Sequence, residues 1–107
     1  MRHRWLKAVL SRIRESAARR NVRFTLKALQ ELARLGMGLD EEDACGVLAN
    51  LASIDFAERL VSKKTGEWMY VFKPSVGAVV VYVKVVVRVE CIVISFHEEE
   101  VHSDEGD

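Results

Sequence analysis

Proline is almost absent from this chain: one residue, Pro74, in 107, beside two cysteines and six glycines. Without Pro-, Gly- or Ser-rich stretches there is no composition for a linker or a low-complexity segment, and no internal repeat is visible. Two cysteines without clustered histidines make neither a zinc site nor a disulfide framework. Cys45 and Cys91 sit in apolar runs and read as buried free thiols of a reducing compartment. The longest apolar run, Val76–Val83, is far too short for a membrane span, and the opening MRHRWLKAVL lacks the apolar core and cleavage site of a secretory signal. The expectation is a cytoplasmic protein with no membrane partner, no metal and no cofactor.

What is present is an ordinary globular balance, 50% hydrophobic and 30% charged, in a length that supports one core. Residues 1–107 therefore read as a single domain. Net charge is zero, but residues 1–34 carry ten Lys or Arg against Glu15 and Glu31, while residues 98–107 carry six acids and no base. That asymmetry fits a surface for a polyanion with an acidic tail as ballast or competitor; a solvated helix face and a plain terminus fit it equally.

Periodicity divides the chain into a basic helix (1–20), a helical part (21–60), an antiparallel sheet (66–98) and an acidic tail (99–107). Leu6, Val9, Leu10, Ile13 and Ala17 recur at helical spacing. After a short extended piece at 21–24, Thr25 is placed to cap a second helix that Gly36 and Gly38 close. Asp40, with Asp43 three residues on, opens a third carrying Ala44, Val47, Leu48 and Leu51. Ser53 is expected to cap a last turn through Asp55, Phe56 and Leu60. The period then changes to two: Trp68, Tyr70 and Phe72 share a face, Pro74–Gly77 is a turn, and 79–88 and 91–98 are β-branched strands. Helices followed by a meander predict an α+β fold, with N-terminal helices packed on one face of a C-terminal antiparallel sheet.

If Val89-Glu90 is a two-residue hairpin loop, Val83 opposes Phe96, Val85 opposes Ile94 and Val87 opposes Ile92, all facing the helices. The other face then carries Tyr82 opposite His97, with Lys84, Arg88 and, across the preceding turn, Met69. Metal-free RNA cleavage needs a base for the 2′-hydroxyl, an acid for the leaving oxygen and a cation for the developing charge. Imidazole changes charge near neutral pH, so His97 is the candidate acid or base. Tyr82 is suited to hold phosphate or stack on a base, and Lys84 and Arg88 to bind phosphate. An exposed strand face kept soluble by amphipathic residues satisfies the same spacing. Lys73, Arg59, Lys63 and Lys64 join the candidate RNA-binding set. Arg12, Arg14, Arg19 and Arg20 are expected to supply phosphate affinity from the first helix, their only nearby acid being Glu15.

From about Val22 to Phe96 the sequence resembles the motility quorum-sensing regulator (MqsR) family of toxins from type II toxin–antitoxin systems. The resemblance rests on VRFTLKAL, on LG–L–D and a Cys in the third helix, and on L–S–DF at Leu51 to Phe56. It continues with GEW–V–KP at Gly66 to Pro74, VYVK at Val81 to Lys84 and VISF at Val93 to Phe96. It implies a RelE-like α+β fold, sequence-selective mRNA cleavage and a DNA-binding antitoxin partner. The family's active-site Tyr and Lys fall on Tyr82 and Lys84. The Lys after the SF pair is His97 here, the Gln after the Trp is Met69, and the Lys after the DF pair is Glu58, with Arg59 beside it. Expected partners are thus RNA and a cognate antitoxin, without direct DNA binding by this chain alone.

Two other classes remain open on the sequence. One is a DNA-binding module, since 25–35 and 40–51 around a Gly-containing turn resemble a helix-turn-helix, although Asp40, Glu41, Glu42 and Asp43 stand where phosphate donors belong. The other is an inactive or weak homologue that binds a partner through its sheet edge.

Overall fold

Residues 3–100 are described by the computed structural model; Arg2 and the part of the acidic tail beyond Glu100 lie outside them. Leu6, Leu10, Ile13 and Ala17 are all buried, and their spacing makes the first segment an amphipathic helix, α1 (Arg4–Ala18). It ends without glycine. The amides of Arg20 and Asn21 donate to the carbonyls of Ala17 and Ser16, and Arg20 takes the left-handed conformation (φ 61°) that such a terminus requires. Helix α2 (Leu26–Arg34) opens with the Ala28 amide donating to the Thr25 hydroxyl at 3.1 Å. Helix α3 (Glu41–Ala49) opens on the reciprocal Asp40–Asp43 box, with bonds of 2.8 and 3.0 Å. No helix among the described residues is long and apolar enough to cross a membrane.

Six strands follow the order β1 (Val22–Phe24), β6 (Cys91–Glu98), β5 (Val79–Val87), β3 (Trp68–Phe72) and β2 (Phe56–Val61), with β4 (Ser75–Val76) pairing β5 beside this path. The fold is α+β, as expected, but residues 21–60 are not wholly helical. Residues 22–24 form an edge strand that runs parallel to β6, the one parallel pairing among the described residues. The turn expected to run through Leu60 stops after a 3-10 turn at Ser53–Asp55, closed by the Asp55 carboxylate accepting from the Ala52 amide rather than by Ser53. Residues 56–61 instead pair with β3, where Phe56, Arg59 and Val61 meet Phe72, Tyr70 and Trp68. The turn expected at Pro74–Gly77 shifts too: Ser75 and Val76 pair with Val80 and Val79 around Gly77-Ala78, and Gly77 supplies a φ of 61°.

The β5–β6 hairpin keeps the expected register at one end only. Val81 to Lys84 pair with Glu98 to Ser95, but Val85, Val86 and Val87 pair with Val93, Ile92 and Cys91. The loop has three residues, Arg88 to Glu90, and one extra residue on β6, Ile94, restores the pairing as a β-bulge. Val93 and Cys91 therefore enter the core and Ile92 turns to the opposite face, while Ile94 is only half-buried; the sequence reading had these reversed.

All three helices cover one face of the sheet, joining Leu6, Leu10, Ile13, Ala28, Leu32, Ala44 and Leu48 to Phe72, Val81, Val83, Val85, Val93 and Phe96. Helix α2 also guards the edge of β6 beyond β1. The Thr25 amide donates to the Val93 carbonyl at 3.1 Å, the Thr25 hydroxyl to the Ile94 carbonyl at 3.4 Å, and the Phe96 amide to the Glu31 carboxylate at 2.9 Å. Phe96, fully buried, should cost about 3–5 kcal/mol on truncation to Ala. Ile94→Ala should cost about 1 kcal/mol, because the bulge leaves it no closed cavity. Equal losses for the two in denaturant unfolding would contradict the bulge.

Candidate active site

On the face away from the helices, one row crosses four strands: Glu58, Val71, Lys84 and Ser95 are successive partners. Beside it, Tyr82 pairs with His97 because the hairpin register at this end is the one the alternation predicts. Their rings stack, with centroids 4.8 Å apart and planes 12° from parallel. Val71, Val86, Ile92 and Ser95, nearly or wholly buried, make the floor of this face, and Met69 shares it through its pairing with Leu60.

The His97 Nδ1 lies 2.8 Å from the Glu98 carbonyl. A carbonyl only accepts, so Nδ1 carries the hydrogen, and in the neutral ring Nε2 is left with a free lone pair. Burial, and then the Glu58 carboxylate, hold the Tyr82 phenol above its ordinary pKa; Lys73 opposes them and Glu99 and Glu31 add to them. At neutral pH Tyr82 is therefore a hydrogen-bond donor. Lys73 pairs with Glu99 at 2.6 Å, and chiefly that bond raises its pKa, so it stays charged. Lys84 makes no ion pair among the described residues.

Behind His97, Lys27 donates to the Ser95 hydroxyl at 2.8 Å and pairs with Glu31 at 2.9 Å. Burial pushes the Glu31 pKa up, but the Lys27 bond, the Phe96 amide and the charges of Lys27 and His97 together bring it below the ordinary value. Glu31, Glu99 and Lys27 escaped the sequence reading, as did any contact between Glu58 and Tyr82. The Lys27–Glu31 spacing of four was the one available signal. Glu99, assigned to a solvated tail, gave none, yet it pairs with Lys73, and its amide donates to the Val80 carbonyl at 2.8 Å. Among the described residues no group of three or more His, Cys, Asp or Glu is arranged to hold a metal ion.

The remaining candidates lie elsewhere. Arg88 sits at the hairpin end, and its guanidinium is held by both oxygens of Glu67 at 2.6 and 2.7 Å. Arg59 is on the helix-bearing face, between Trp5 and Trp68. Lys63 and Lys64 occupy the exposed β2–β3 turn. The arginines of the first segment have partners, of which the sequence showed only Glu15. Arg12 donates to the Arg88 carbonyl at 2.6 Å and Arg14 to the Leu51 carbonyl at 2.7 Å. Arg19 pairs with Glu15 at 3.0 Å; Arg20 pairs with Glu42 at 3.1 Å and donates to the Ala17 carbonyl at 2.8 Å. Arg12, Arg14 and Arg20 tie the helix to its neighbours, while Arg19 pairs within it.

The sequence profile described as "Motility quorum-sensing regulator, toxin of MqsA" matches residues 6–98, from the first turns of α1 to the end of β6. The chain belongs to this family. It is thus a toxin of a toxin–antitoxin system, with an antitoxin of the MqsA kind as its partner. No curated protein matches the chain closely. The matched span contains Glu58, Met69 and His97, the positions at which this family member departs from the Lys, Gln and Lys that the resemblance implies.

The Arg88 ion pair draws the Glu67 carboxyl from 4.5 down to about 2. A carboxyl depressed in the folded state stabilises the fold above its unfolded value and loses that contribution as pH falls through the folded one. Stability should therefore decline on acidification from 4.5 toward about 2, and Glu67→Gln should flatten that decline. An acid limb identical in the Glu67→Gln protein would mean that Arg88 is not committed to Glu67.

Proposed function

We propose that this toxin is an mRNA interferase, an endoribonuclease that acts by metal-independent general acid–base catalysis on the open sheet face. The stacked Tyr82–His97 pair beside the unpaired Lys84 carries the proposal. A phosphate set against this pair lies within reach of an imidazole with a free Nε2, a phenol held protonated and an uncommitted ammonium. Nε2 takes the 2′-hydroxyl proton as O2′ attacks phosphorus, or, once charged, gives a proton to the departing 5′ oxygen. Tyr82 donates to a non-bridging oxygen, and Lys84 opposes the developing negative charge. Lys73 stays cationic at the margin of the site and joins Lys84 in binding the RNA backbone. The antitoxin curbs this activity, and the cytoplasm, where mRNA is, is its place of action.

One observation favours a second reading. Glu58 puts a carboxylate in the row that contains Lys84, where a phosphate would approach, and Met69 offers no hydrogen bond. On that reading the chain is a weakened toxin whose main act is binding its antitoxin. The helix-turn-helix alternative has the opposite support, since Glu41, Glu42 and Asp43 form the first turn of α3.

Cleavage of a mixed-sequence RNA by purified, antitoxin-free protein between about pH 5 and 9 separates the readings. His97→Ala should lower cleavage by roughly 10²–10⁴-fold, the usual share of a positioned proton-transfer group. Its stability should fall by only about 0.5–1.5 kcal/mol, the worth of the lost ring stack. His97→Lys should keep part of the activity with an optimum at higher pH. Full cleavage by the His97→Ala protein would remove the imidazole from the chemistry.

A further inference from the structure

On the opposite face, where the edge strand β2 pairs with β3, four flat groups are piled on one another. The His3 ring stacks on Trp5 with centroids 5.0 Å apart and planes 19° from parallel. The Arg59 guanidinium lies 4.0 Å from the centre of the Trp5 ring and 3.7 Å from that of Trp68. Phe56 meets Trp5 edge-on at 5.4 Å, and Tyr70 lies 5.7 Å from it, so the inner members are locked. The outer member is open: Trp68 is 44% exposed, and Val61, its partner across the strands, is 53% exposed. A fold that needed only to pin the start of α1 against β2 has no use for an exposed indole at the end of the pile.

The charge left unpaired around the pile is basic, since Glu67, the acid beside Trp68, is held by Arg88. Arg4, Lys7, Arg59, Lys63 and Lys64 make no ion pair among the described residues, whereas Arg19, Arg20, Arg23 and Arg88 each have an acid. Arg4 and Lys7 line a groove with His3 and Phe56, and Lys63 and Lys64 lie in the turn that follows Val61. An aromatic plane that accepts another plane, bordered by uncommitted cations, is the chemistry of a single-stranded nucleic acid platform: bases stack, and the backbone meets lysine and arginine.

We propose that Trp68, backed by Arg59 and Trp5, is a base-stacking subsite for single-stranded RNA outside the catalytic face, an inference that rests on RNA being the substrate. Trp68 is three residues along β3 from Val71, the cross-strand neighbour of Lys84, a separation of roughly 10 Å along the strand. A strand whose phosphate is held at Lys84 reaches Trp68 by passing round the β2–β3 turn, beside Lys63 and Lys64. The subsite adds grip on unpaired RNA and, because duplex bases offer no free plane, discriminates against structured RNA.

The chain has two tryptophans, and both are in the pile, so intrinsic indole emission reads this site alone. A 2′-O-methyl oligoribonucleotide, which lacks the attacking hydroxyl, is titrated into the full chain as a single strand and as a duplex, with RNA cleavage assayed on the same preparation. The single strand should quench emission saturably and the duplex should not. Trp68→Ala should weaken binding of the labelled single strand, read by anisotropy, by roughly 5- to 150-fold, the usual effect of losing one stacked base. Trp68→Phe, which keeps a plane, should recover most of it, and His97→Ala should leave the quenching in place. Cleavage without quenching would overturn the subsite and leave the catalytic reading standing. Quenching without cleavage would keep the subsite and remove the chemistry. Quenching by the antitoxin but not by the oligonucleotide would assign the pile to a protein partner and overturn the proposal.

Discussion

Between Lys84 and Val85 the two central strands change register, because β6 carries one residue more than β5 in that span. Everything on either face follows from this step. On the far side of it, Val83 and Phe96 point into the helices and Tyr82 and His97 point away together. On the hairpin side, the extra residue lets Val93 and Cys91 fill the core beneath α1 and α3 and puts Ile92 on the floor of the open face. A hairpin with a three-residue loop and no bulge would have carried the loop's offset along the whole pair and parted Tyr82 from His97.

The bulge is held from outside by the start of α2. Thr25 ends β1, caps α2 and donates to the carbonyls of Val93 and Ile94, so the irregular stretch of β6 is not left with orphaned acceptors. One turn later Lys27 and Glu31 grip Ser95 and the Phe96 amide, bracketing the residue before His97 on one side and the strand backbone on the other. A helix that serves the core through Ala28 and Leu32 thus also fixes the strand that presents the imidazole. The acidic end of the strand contributes as well, since Glu99 engages Lys73 beside Tyr82.

Much of this was legible in the residues. The helical stripe of α1, the Thr25 cap, the Asp40–Asp43 box and the Trp68–Tyr70–Phe72 face all follow from spacing and all form. Tyr82 opposite His97 was legible for the same reason, because Val81 to Lys84 and Ser95 to Glu98 alternate cleanly. The bulge was not. Cys91-Ile92-Val93-Ile94 is apolar at every position, so a slip of one residue exchanges one apolar side chain for another and the pattern cannot choose between registers. Residues 56–61 misled in the opposite way: their strand character depends on pairing with β3 across the 62–67 turn, and their own local propensity gives no hint of it. The arginines of the first segment looked uncommitted because three of the four, Arg12, Arg14 and Arg20, reach backbone carbonyls, of Arg88, Leu51 and Ala17, and a carbonyl leaves no trace in a sequence.

The central claim is that the Tyr82–His97 pair and the core both depend on a register change at Ile94. Nuclear Overhauser contacts in the isotope-labelled protein test it most directly, since opposed backbones in an antiparallel pair lie about 4.5–5.5 Å apart. The account predicts contacts between the Tyr82 and His97 rings together with cross-strand contacts of Val85 to Val93 and Val87 to Cys91. Contacts of Val85 to Ile94 and Val87 to Ile92 would mean an unbulged hairpin with Cys91 and Val93 outside the core, and would contradict it.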